Sequence, residues 1–319
     1  MKNSGPSFAQ SVKDEITSAN FTLEHKRAIL AAFIKINGSI LFSKNGSSLV
    51  MKTENAKVAK FIYTSLNDLY GLPARFAYSK LMNFKRRTTY SIIIDNEADY
   101  ILGDLSINFL EGKIAKNMIN NDDMIAGYLC GAFLANGSVN SPMSSNYHLE
   151  IALNDENYAR WFTKLFTKYK SGQFSAKITK RRNEFVVYLK RADQITDFLI
   201  MIGATESALR FEDIRIDRDY RNIGNRLTNL DTANYKKTND AAKQQLKDIR
   251  LINKIITIDR IPNKKQRELA HLRIENEDLS LSELANLLSE RLQTPVSRSN
   301  VAHTFKGLHK LALELKGKE

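Results

Sequence analysis

Two similar stretches of the sequence decide the fold: AILAAFIKINGS at residues 28–39 and IAGYLCGAFLANGS at residues 125–138. Each is an apolar run of helical length, rich in small residues, that ends in Asn-Gly-Ser. We expect each glycine to stop its helix by adopting the left-handed conformation, which a residue without a Cβ atom reaches at no steric cost. A motif that occurs twice in this way predicts a duplicated domain.

The segments that follow the two stretches are also similar. The first copy is predicted to contain a hairpin around Asn45-Gly46, a helix over 54–69 and strands over 74–79 and 88–95. The second is predicted to contain a polar loop, a strand over 148–153, a helix over 155–169 and strands over 174–180 and 184–190. Further helices are expected over 5–20 and 192–202, and Asp122 and Asp123 are expected to cap the second motif helix.

Small side chains recur at three- and four-residue spacing within both motif helices. They are Ala28, Ala31 and Ala32 in the first helix, and Gly127, Gly131 and Ala135 in the second. This spacing places them on one face, where they allow two helix backbones to approach closely. We therefore expect the two motif helices to pack against each other.

The pair of motifs resembles the LAGLIDADG fold of homing endonucleases, in which two such helices pack along a pseudo-twofold axis beneath a saddle of strands that grips DNA. The resemblance implies an α+β protein whose first half is a duplicated LAGLIDADG-like α-β-β-α-β-β pseudo-dimer. It also implies that two basic strand tips contact phosphates. These tips are Lys85, Arg86 and Arg87 in the first copy and Lys180, Arg181 and Arg182 in the second. The alternative is that both are ordinary solvated turns.

Asn37 and Asn136 argue against nuclease chemistry. In the endonucleases the residue just before the motif glycine is acidic and holds the divalent metals that activate water, because hard cations need carboxylate oxygens. Here both matching residues are neutral amides. We therefore expect a degenerate motif with no catalytic residues and no metal, although an active metal-dependent LAGLIDADG-type DNA endonuclease remains the alternative.

The charge and composition favour an anionic partner. The chain has 319 residues and a formal net charge of +13, which points to nucleic acid. Its single cysteine, Cys130, excludes an internal disulfide, and the sequence has no apolar run long enough for a membrane span and no apolar leader behind Met1. No phosphate-binding glycine loop is present either. We expect a cytoplasmic, nucleoid-associated protein that needs no cofactor and does not bind membranes.

Arginine and asparagine are concentrated in the segment from 218 to 237. Its candidate DNA-binding residues are Arg218, Arg221, Asn222, Asn225, Arg226, Asn229, Asn234, Lys236 and Lys237. On a helix most of them share a face, with Ile223, Leu227 and Leu230 on the opposite one. The same side chains could instead cap loops and bridge domains. An amphipathic helix is predicted to follow over 238–257.

The C-terminal residues are typical of a helix-turn-helix. Helices are predicted over 263–274, 281–288 and 297–315, with Leu284, Leu288, Val296 and Val301 in the core and Ala285 at the crossing. The recognition helix would present polar and basic side chains to the major groove. They are Ser297, Arg298, Ser299, Asn300, His303, Thr304, Lys306 and Lys310. A three-helix protein-binding module is the alternative.

The combination resembles the WhiA family of bacterial regulators over nearly the whole chain. The matching residues include SFAQSVKDE from residue 7, LRIEN from 272 and SRSNVAH from 297. The resemblance implies three domains: a LAGLIDADG-like pseudo-symmetric domain (1–205), an Arg/Asn-rich helical linker (206–260) and an all-α helix-turn-helix DNA-binding domain (261–319). This chain departs from the family at 300–304, where it has Asn-Val-Ala-His-Thr and relatives usually have Gly-Val-Asn-His-Arg. The family's target sequence therefore does not carry over.

These observations predict a DNA-binding transcription regulator, tied by the resemblance to sporulation or cell division genes, with an inactive endonuclease-like domain and a helix-turn-helix that reads the major groove. Its partner would be double-stranded DNA, together with another transcription regulator in one version of the hypothesis. Besides the endonuclease, a protein-binding regulatory scaffold stays open as an alternative.

Overall fold

A computed structural model describes residues 5–44, 46–80, 88–114 and 116–317. The chain divides into two compact units, Met1–Arg218 and Asp219–Glu319. The division lies within the segment predicted to be a helical linker. Across the described residues no helix combines the length and apolarity that a membrane span requires.

The first unit contains the predicted duplication. Its first half consists of α1 (Phe8–Ile16), α2 (Leu23–Asn37), β1 (Gly38–Ser43), β2 (Gly46–Thr53), α3 (Ala56–Tyr70), β3 (Arg75–Lys80), β4 (Thr88–Asp95) and α4 (Ala98–Asp104). Its second half consists of α5 (Asp122–Asn136), β5 (Gly137–Val139), β6 (Leu149–Leu153), α6 (Glu156–Lys168), β7 (Lys177–Arg181), β8 (Glu184–Leu189) and α7 (Ala192–Met201). A helix α8 (Thr205–Ile256) follows and crosses the division between the units.

Each half folds into a four-stranded antiparallel sheet. The strand orders are β1-β2-β4-β3 and β5-β6-β8-β7, so the two sheets have the same topology. The register is equivalent as well, since Gly38 pairs with Met51 in one sheet and Gly137 pairs with Ile151 in the other. The predicted α+β duplication is therefore confirmed. Strand β5 begins at Gly137, immediately after its helix, where the sequence had predicted a loop.

The two motif helices, α2 and α5, form the centre of this unit. A Cβ atom on Gly127 would lie 2.8 Å from the carbonyl oxygen of His25, and one on Gly131 would fall on the carbonyl of Ile29, 2.8 Å from its Cα atom. The helix backbones therefore touch at these glycines, as the small-residue spacing predicted. Ala28 and Ala32 are fully buried beside them.

The glycines that end the motif helices have a different role from the predicted one. Gly38 has φ −82° and Gly137 has φ −79°, so both are extended and neither is left-handed. A Cβ atom on Gly38 would lie 2.9 Å from Cγ2 of Ile34, and one on Gly137 would lie 2.6 Å from Cα of Phe133. Glycine is required because the chain turns directly from helix into strand and leaves no room for a side chain.

The predicted caps of α5 are also corrected. The N-cap is Asn121, whose side-chain oxygen accepts a hydrogen bond from the backbone N–H of Met124 at 2.8 Å. Asp122 instead fixes the loop after α6, because it accepts from the hydroxyl of Ser171 at 2.6 Å and from its backbone N–H at 2.8 Å. The hydrogen bond from the Ser171 hydroxyl is the main cause that lowers the pKa of this carboxyl. Asp123 lies 2.8 Å from Nδ1 of His25 on α2. The polar residue immediately before the two acids therefore satisfies the helix end.

The second unit is all helical. It contains the C-terminal part of α8, α9 (Lys264–Glu275), α10 (Leu281–Leu292) and α11 (Arg298–Lys316), with a short 3-10 turn at Ile258–Arg260. Its core is formed by Ile249 and Ile252 of α8 together with apolar residues of the three shorter helices. The helix predicted over 238–257 is thus the last part of α8, and its apolar side is buried as expected.

The apolar residues in the middle of α8 are exposed. Ile223, Leu227 and Leu230 are 54%, 57% and 56% exposed. The sequence pattern places them correctly on one side of a helix. It does not show whether another element packs there, and within the described chain none covers them.

Candidate nucleic-acid interface

The start of α10 is fixed by a capping box. The hydroxyl of Ser280 accepts from the backbone N–H of Glu283 at 3.3 Å, and the Glu283 carboxylate accepts from the backbone N–H of Ser280 at 2.7 Å. Two N–H groups that the helix leaves unpaired are satisfied in this way. The hydrogen bonds to Ser280 lower the pKa of Glu283, so the box persists at neutral pH.

A short turn connects α10 to α11. Gln293 ends α10 in the left-handed conformation, with φ 53°. Ser289 then holds the turn, because its hydroxyl donates to the carbonyl of Ala285 at 2.6 Å and accepts from the backbone N–H of Val296 at 2.9 Å. Ser297 caps α11 by accepting from the backbone N–H of Asn300 at 3.2 Å. This turn is longer than the tightest helix-turn-helix loops, but side-chain hydrogen bonds define its path.

One face of α11 packs on the core and the opposite face is open. Val301, Phe305, Leu308 and Ala312 are buried against α9 and α10. The exposed face carries Ser299, His303, Lys306 and Lys310, which follow one another at four, three and four residues and so form one stripe. Ser297, Arg298 and Asn300 are exposed at the first turn beside this stripe.

Thr304 does not belong to this open face. It is only 7% exposed, and its hydroxyl donates to the carbonyl of Asn300 at 2.8 Å. The prediction that Thr304 contacts DNA is therefore corrected: its position on α11, three residues after Val301, turns it toward the core.

Arg273 is a residue that the sequence reasoning did not select as part of this site. It is 1% exposed on α9, and its Nη1 donates to the carbonyl of Leu279 at 2.7 Å, in the connection that leads to α10. Its guanidinium lies 5.4 Å from the ring centre of Phe305 on α11. Burial lowers the pKa of Arg273, yet an arginine remains charged. One side chain thus joins all three helices of the motif.

The candidate residues of the Arg/Asn segment lie on α8. Arg221, Asn222, Asn225, Arg226, Asn229, Asn234, Lys236 and Lys237 are all exposed. Asn234 lies seven residues after Leu227 and so on the side of the apolar residues, away from most of the others.

Arg218 is engaged within the first unit. Its Nη1 and Nη2 donate to the carbonyls of Ser144 and Ser145, at 2.5 and 3.1 Å, and its guanidinium lies over the ring of Tyr147. Arg218 therefore holds a loop of the first unit, which is the alternative that the sequence left open.

The basic tips of the sheets are placed only in part. Lys85, Arg86 and Arg87 lie outside the described residues. In the second tip, Arg181 donates to both carboxylate oxygens of Glu150, at 3.1 and 2.9 Å, and Lys180 lies 5.6 Å from the ring centre of Phe185. Arg182 is exposed in a turn with φ 54°. Arg181 is thus already neutralised, which reduces what it can contribute to phosphate binding.

Asn37 and Asn136 occupy equivalent positions in the two halves. The amide nitrogen of Asn37 donates to the carbonyl of Lys52 on β2 at 3.3 Å, and that of Asn136 donates to the carbonyl of Ala152 on β6 at 3.4 Å. Each carbonyl belongs to the residue after the one that pairs with the motif glycine. A carboxylate could not donate these hydrogen bonds. Among the described residues there is no group of three or more His, Cys, Asp or Glu side chains that could hold a metal ion.

Three family models match the chain. They are the WhiA N-terminal LAGLIDADG-like domain over residues 23–108, the WhiA LAGLIDADG-like domain over 125–221 and the WhiA C-terminal HTH domain over 225–312. Their order follows the two halves of the first unit and the helices of the second.

Similar proteins carry the same name. A protein of Lactobacillus gasseri, named probable cell division protein WhiA, is 40% identical over 97% of this chain and 98% of its own length. One of Staphylococcus aureus with that name is 38% identical over 98% of both. The crystal structure of full-length DUF199/WhiA from Thermatoga maritima matches 97% of this chain and 99% of its own, with a TM-score of 0.58 at 22% identity, and so shares the fold. On the domain models and these relatives, the chain belongs to the WhiA family.

Proposed function

We propose that this protein is a sequence-specific DNA-binding regulator in which α11 reads the major groove. The observation that carries the proposal is the division of α11 into a buried apolar face and an exposed face of polar and basic side chains, opposite each other. A helix-turn-helix uses a second helix of this kind, with its N-terminal residues at the base edges.

Within α11 the residues divide by chemistry. Arg298 and Asn300 lie at the N-terminal turn, and arginine and asparagine make the bidentate contacts that distinguish guanine and adenine. Lys306 and Lys310 lie two to three turns later on the stripe, where a compact ammonium suits phosphate oxygens. Arg298 and Asn300 would therefore select the sequence, and the two lysines would add affinity on any duplex.

Further phosphate contacts come from α8. Its exposed Arg221 and Arg226 lie on the same helix as the four exposed candidate asparagines, and Lys236 and Lys237 follow them. Each phosphate contact contributes about one unit to the slope of log affinity against log salt concentration. Such a protein would associate with the nucleoid.

The proposal includes the absence of nuclease chemistry. Asn37 and Asn136 are neutral, and their amide nitrogens are directed to strand carbonyls. Neither the Lactobacillus gasseri nor the Staphylococcus aureus relative has the name of an enzyme. The first unit would therefore act in binding, with no bond cleavage.

The test is a binding titration of the full chain against duplexes selected from its own genome by immunoprecipitation. We expect Arg298→Ala and Asn300→Ala each to reduce discrimination between the selected and a scrambled duplex by about 10-fold, because a bidentate base contact contributes about 1–3 kcal/mol. Lys306→Ala should weaken binding to both duplexes equally and should reduce the slope of log affinity against log salt concentration by about one unit.

Lys164→Ala is the matched control, since Lys164 is an exposed lysine of α6 that is not among the proposed DNA-contacting residues. If Arg298→Ala and Asn300→Ala both left discrimination unchanged, α11 would not be the reading helix. Binding to random duplex that disappears at moderate salt, with no preferred site, would favour the protein-binding scaffold instead.

A further inference from the structure

A polar cleft of about 520 Å³ lies in the first unit where α2 and α5 end. It is bounded by the first turns of α1, the end of β2 and the start of α3. Most of its lining side chains are polar, and they include the lysines Lys13 and Lys52. This volume is within the range of small-molecule sites.

Lys13 is the unusual residue of this cleft. Its ammonium makes no hydrogen bond or ion pair with any side chain or carbonyl in the described ranges. The ammonium nitrogen lies over the ring of Phe133, 5.7 Å from the ring centre. Burial lowers the pKa of Lys13 from 10.5 to about 8. A poorly solvated cation that has no counter-ion is costly to maintain and gains much from a bound anion.

The other groups around the cleft define the ligand further. Lys52 is its second cation, and Glu54 is the single carboxylate among the lining residues. The hydroxyls of Ser7, Thr53 and Thr89 and the amide of Gln10 offer hydrogen bonds to a polyol. No aromatic side chain is among the lining residues, all of which are described, so a nucleobase would find no ring to stack on.

We propose that this cleft binds a phosphorylated sugar, with the Lys13 ammonium on the phosphate and the surrounding hydroxyls and the Gln10 amide on the sugar. The regulator would then have an effector site in the unit that carries the degenerate motif. The proposal does not depend on which residues of the second unit contact DNA.

The first test is calorimetric titration of the full chain with glucose 6-phosphate and fructose 1,6-bisphosphate, with glucose, inorganic phosphate and ADP as comparisons. We expect at least one sugar phosphate to bind at least 10-fold more tightly than glucose, phosphate or ADP. Lys13→Met should weaken its binding by at least 10-fold. Methionine retains the packing on Phe133 and removes a buried charge, so this variant should remain folded.

The matched control is Lys164→Met, an exposed lysine of α6, which should bind like the unaltered protein. A second readout is the pH dependence of affinity, with Lys52 and Glu54 as the other titratable groups of the cleft. Because free Lys13 loses its proton near pH 8, affinity should fall up to about 10-fold per pH unit above pH 8. In Lys13→Met this decline should be absent.

Three outcomes would overturn the proposal. One is that no sugar phosphate binds better than inorganic phosphate. Another is that Lys13→Met and Lys164→Met bind equally well. The third is that a short random duplex displaces the sugar phosphate and itself loses 10-fold in affinity on Lys13→Met, since the cleft would then hold a DNA phosphate.

Discussion

At the scale of single residues, the amide nitrogens of Asn37 and Asn136 make hydrogen bonds that a carboxylate could not make. Each amide nitrogen reaches a carbonyl on the neighbouring strand, and Asn37 also lies 3.4 Å from the carbonyl of Ala135 on the opposite motif helix. The amides therefore connect helix to strand in both halves, and helix to helix in one. A carboxylate there would bring one oxygen against another.

We expect Asn136→Asp to destabilise the first unit by about 1 kcal/mol at pH 7, because one hydrogen bond is lost and a carboxylate faces the carbonyl of Ala152. A protonated carboxyl can donate, so the folded state should raise the pKa of the new aspartate. The stabilising effect of the protonated carboxyl is then present at low pH and is lost as the pH rises through that pKa.

The measurement is urea denaturation of Asn136→Asp at pH 7 and pH 4. The control is Asn229→Asp, on the exposed surface of α8, which should have almost no effect at either pH. An Asn136→Asp variant as stable as the parent at pH 7 would show that the hydrogen bond contributes nothing.

The sequence predicted which residues matter more readily than it predicted the partners that these residues contact. The sequence identified the two asparagines and the exposed stripe of α11, because both follow from position within a repeat or a helix. It could not show that Thr304 faces the core or that Arg181 is paired with Glu150, 31 positions away along the chain. Arg273 was missed for the same reason: its partners become visible only when three helices are assembled.

At the scale of elements, most helices and strands could be predicted to within a few residues. The motif helices, the antiparallel hairpins and the three C-terminal helices all have strong local patterns. The strand β5 was missed because it has only three residues, Gly137–Val139. The continuity of α8 was missed because Gly224 and the polar residues around it lower the helix propensity locally.

Gly224 provides the prediction for α8. It lies in the interior of the helix, and a Cβ atom there would meet nothing within 4 Å. We expect Gly224→Ala to stabilise the surrounding helix by about 1 kcal/mol, since alanine loses less backbone entropy than glycine. Amide hydrogen exchange around residue 224 should slow by about 5-fold.

Gly71→Ala is a control that should have the opposite effect on stability. Gly71 ends α3 with φ 62°, where a Cβ atom is strained even though it has space, so this change should destabilise by about 1 kcal/mol. Unchanged or faster exchange around residue 224 in Gly224→Ala would argue that α8 is not helical there in solution.

At the scale of the whole molecule, the described residues form two hydrophobic cores, one in each unit. Helix α8 contributes to both: Phe211 is buried in the first core, and Ile252 is buried in the second. Between these ends the helix is largely exposed. Because the two cores are separate, we expect the two units to unfold separately.

Single substitutions in each core should separate the two transitions. Gly131→Ala places a methyl group on the carbonyl of Ile29 and should destabilise the first unit by about 1–3 kcal/mol. Leu284→Ala, at a fully buried position, should destabilise the second by about 2–5 kcal/mol. The single tryptophan, Trp161, lies in the first unit, so its fluorescence reports that unit, whereas far-ultraviolet circular dichroism reports both.

We expect Gly131→Ala to lower the urea midpoint followed by Trp161 fluorescence and to leave one component of the dichroism transition in place. Leu284→Ala should do the reverse, with the fluorescence midpoint unchanged. Each variant serves as the control for the other, because both remove or add only aliphatic atoms in a buried site. If either substitution moved both midpoints by the same amount, α8 would couple the two cores into one cooperative unit. A ligand bound in the cleft of the first unit would then also stabilise the second unit, which contains α11.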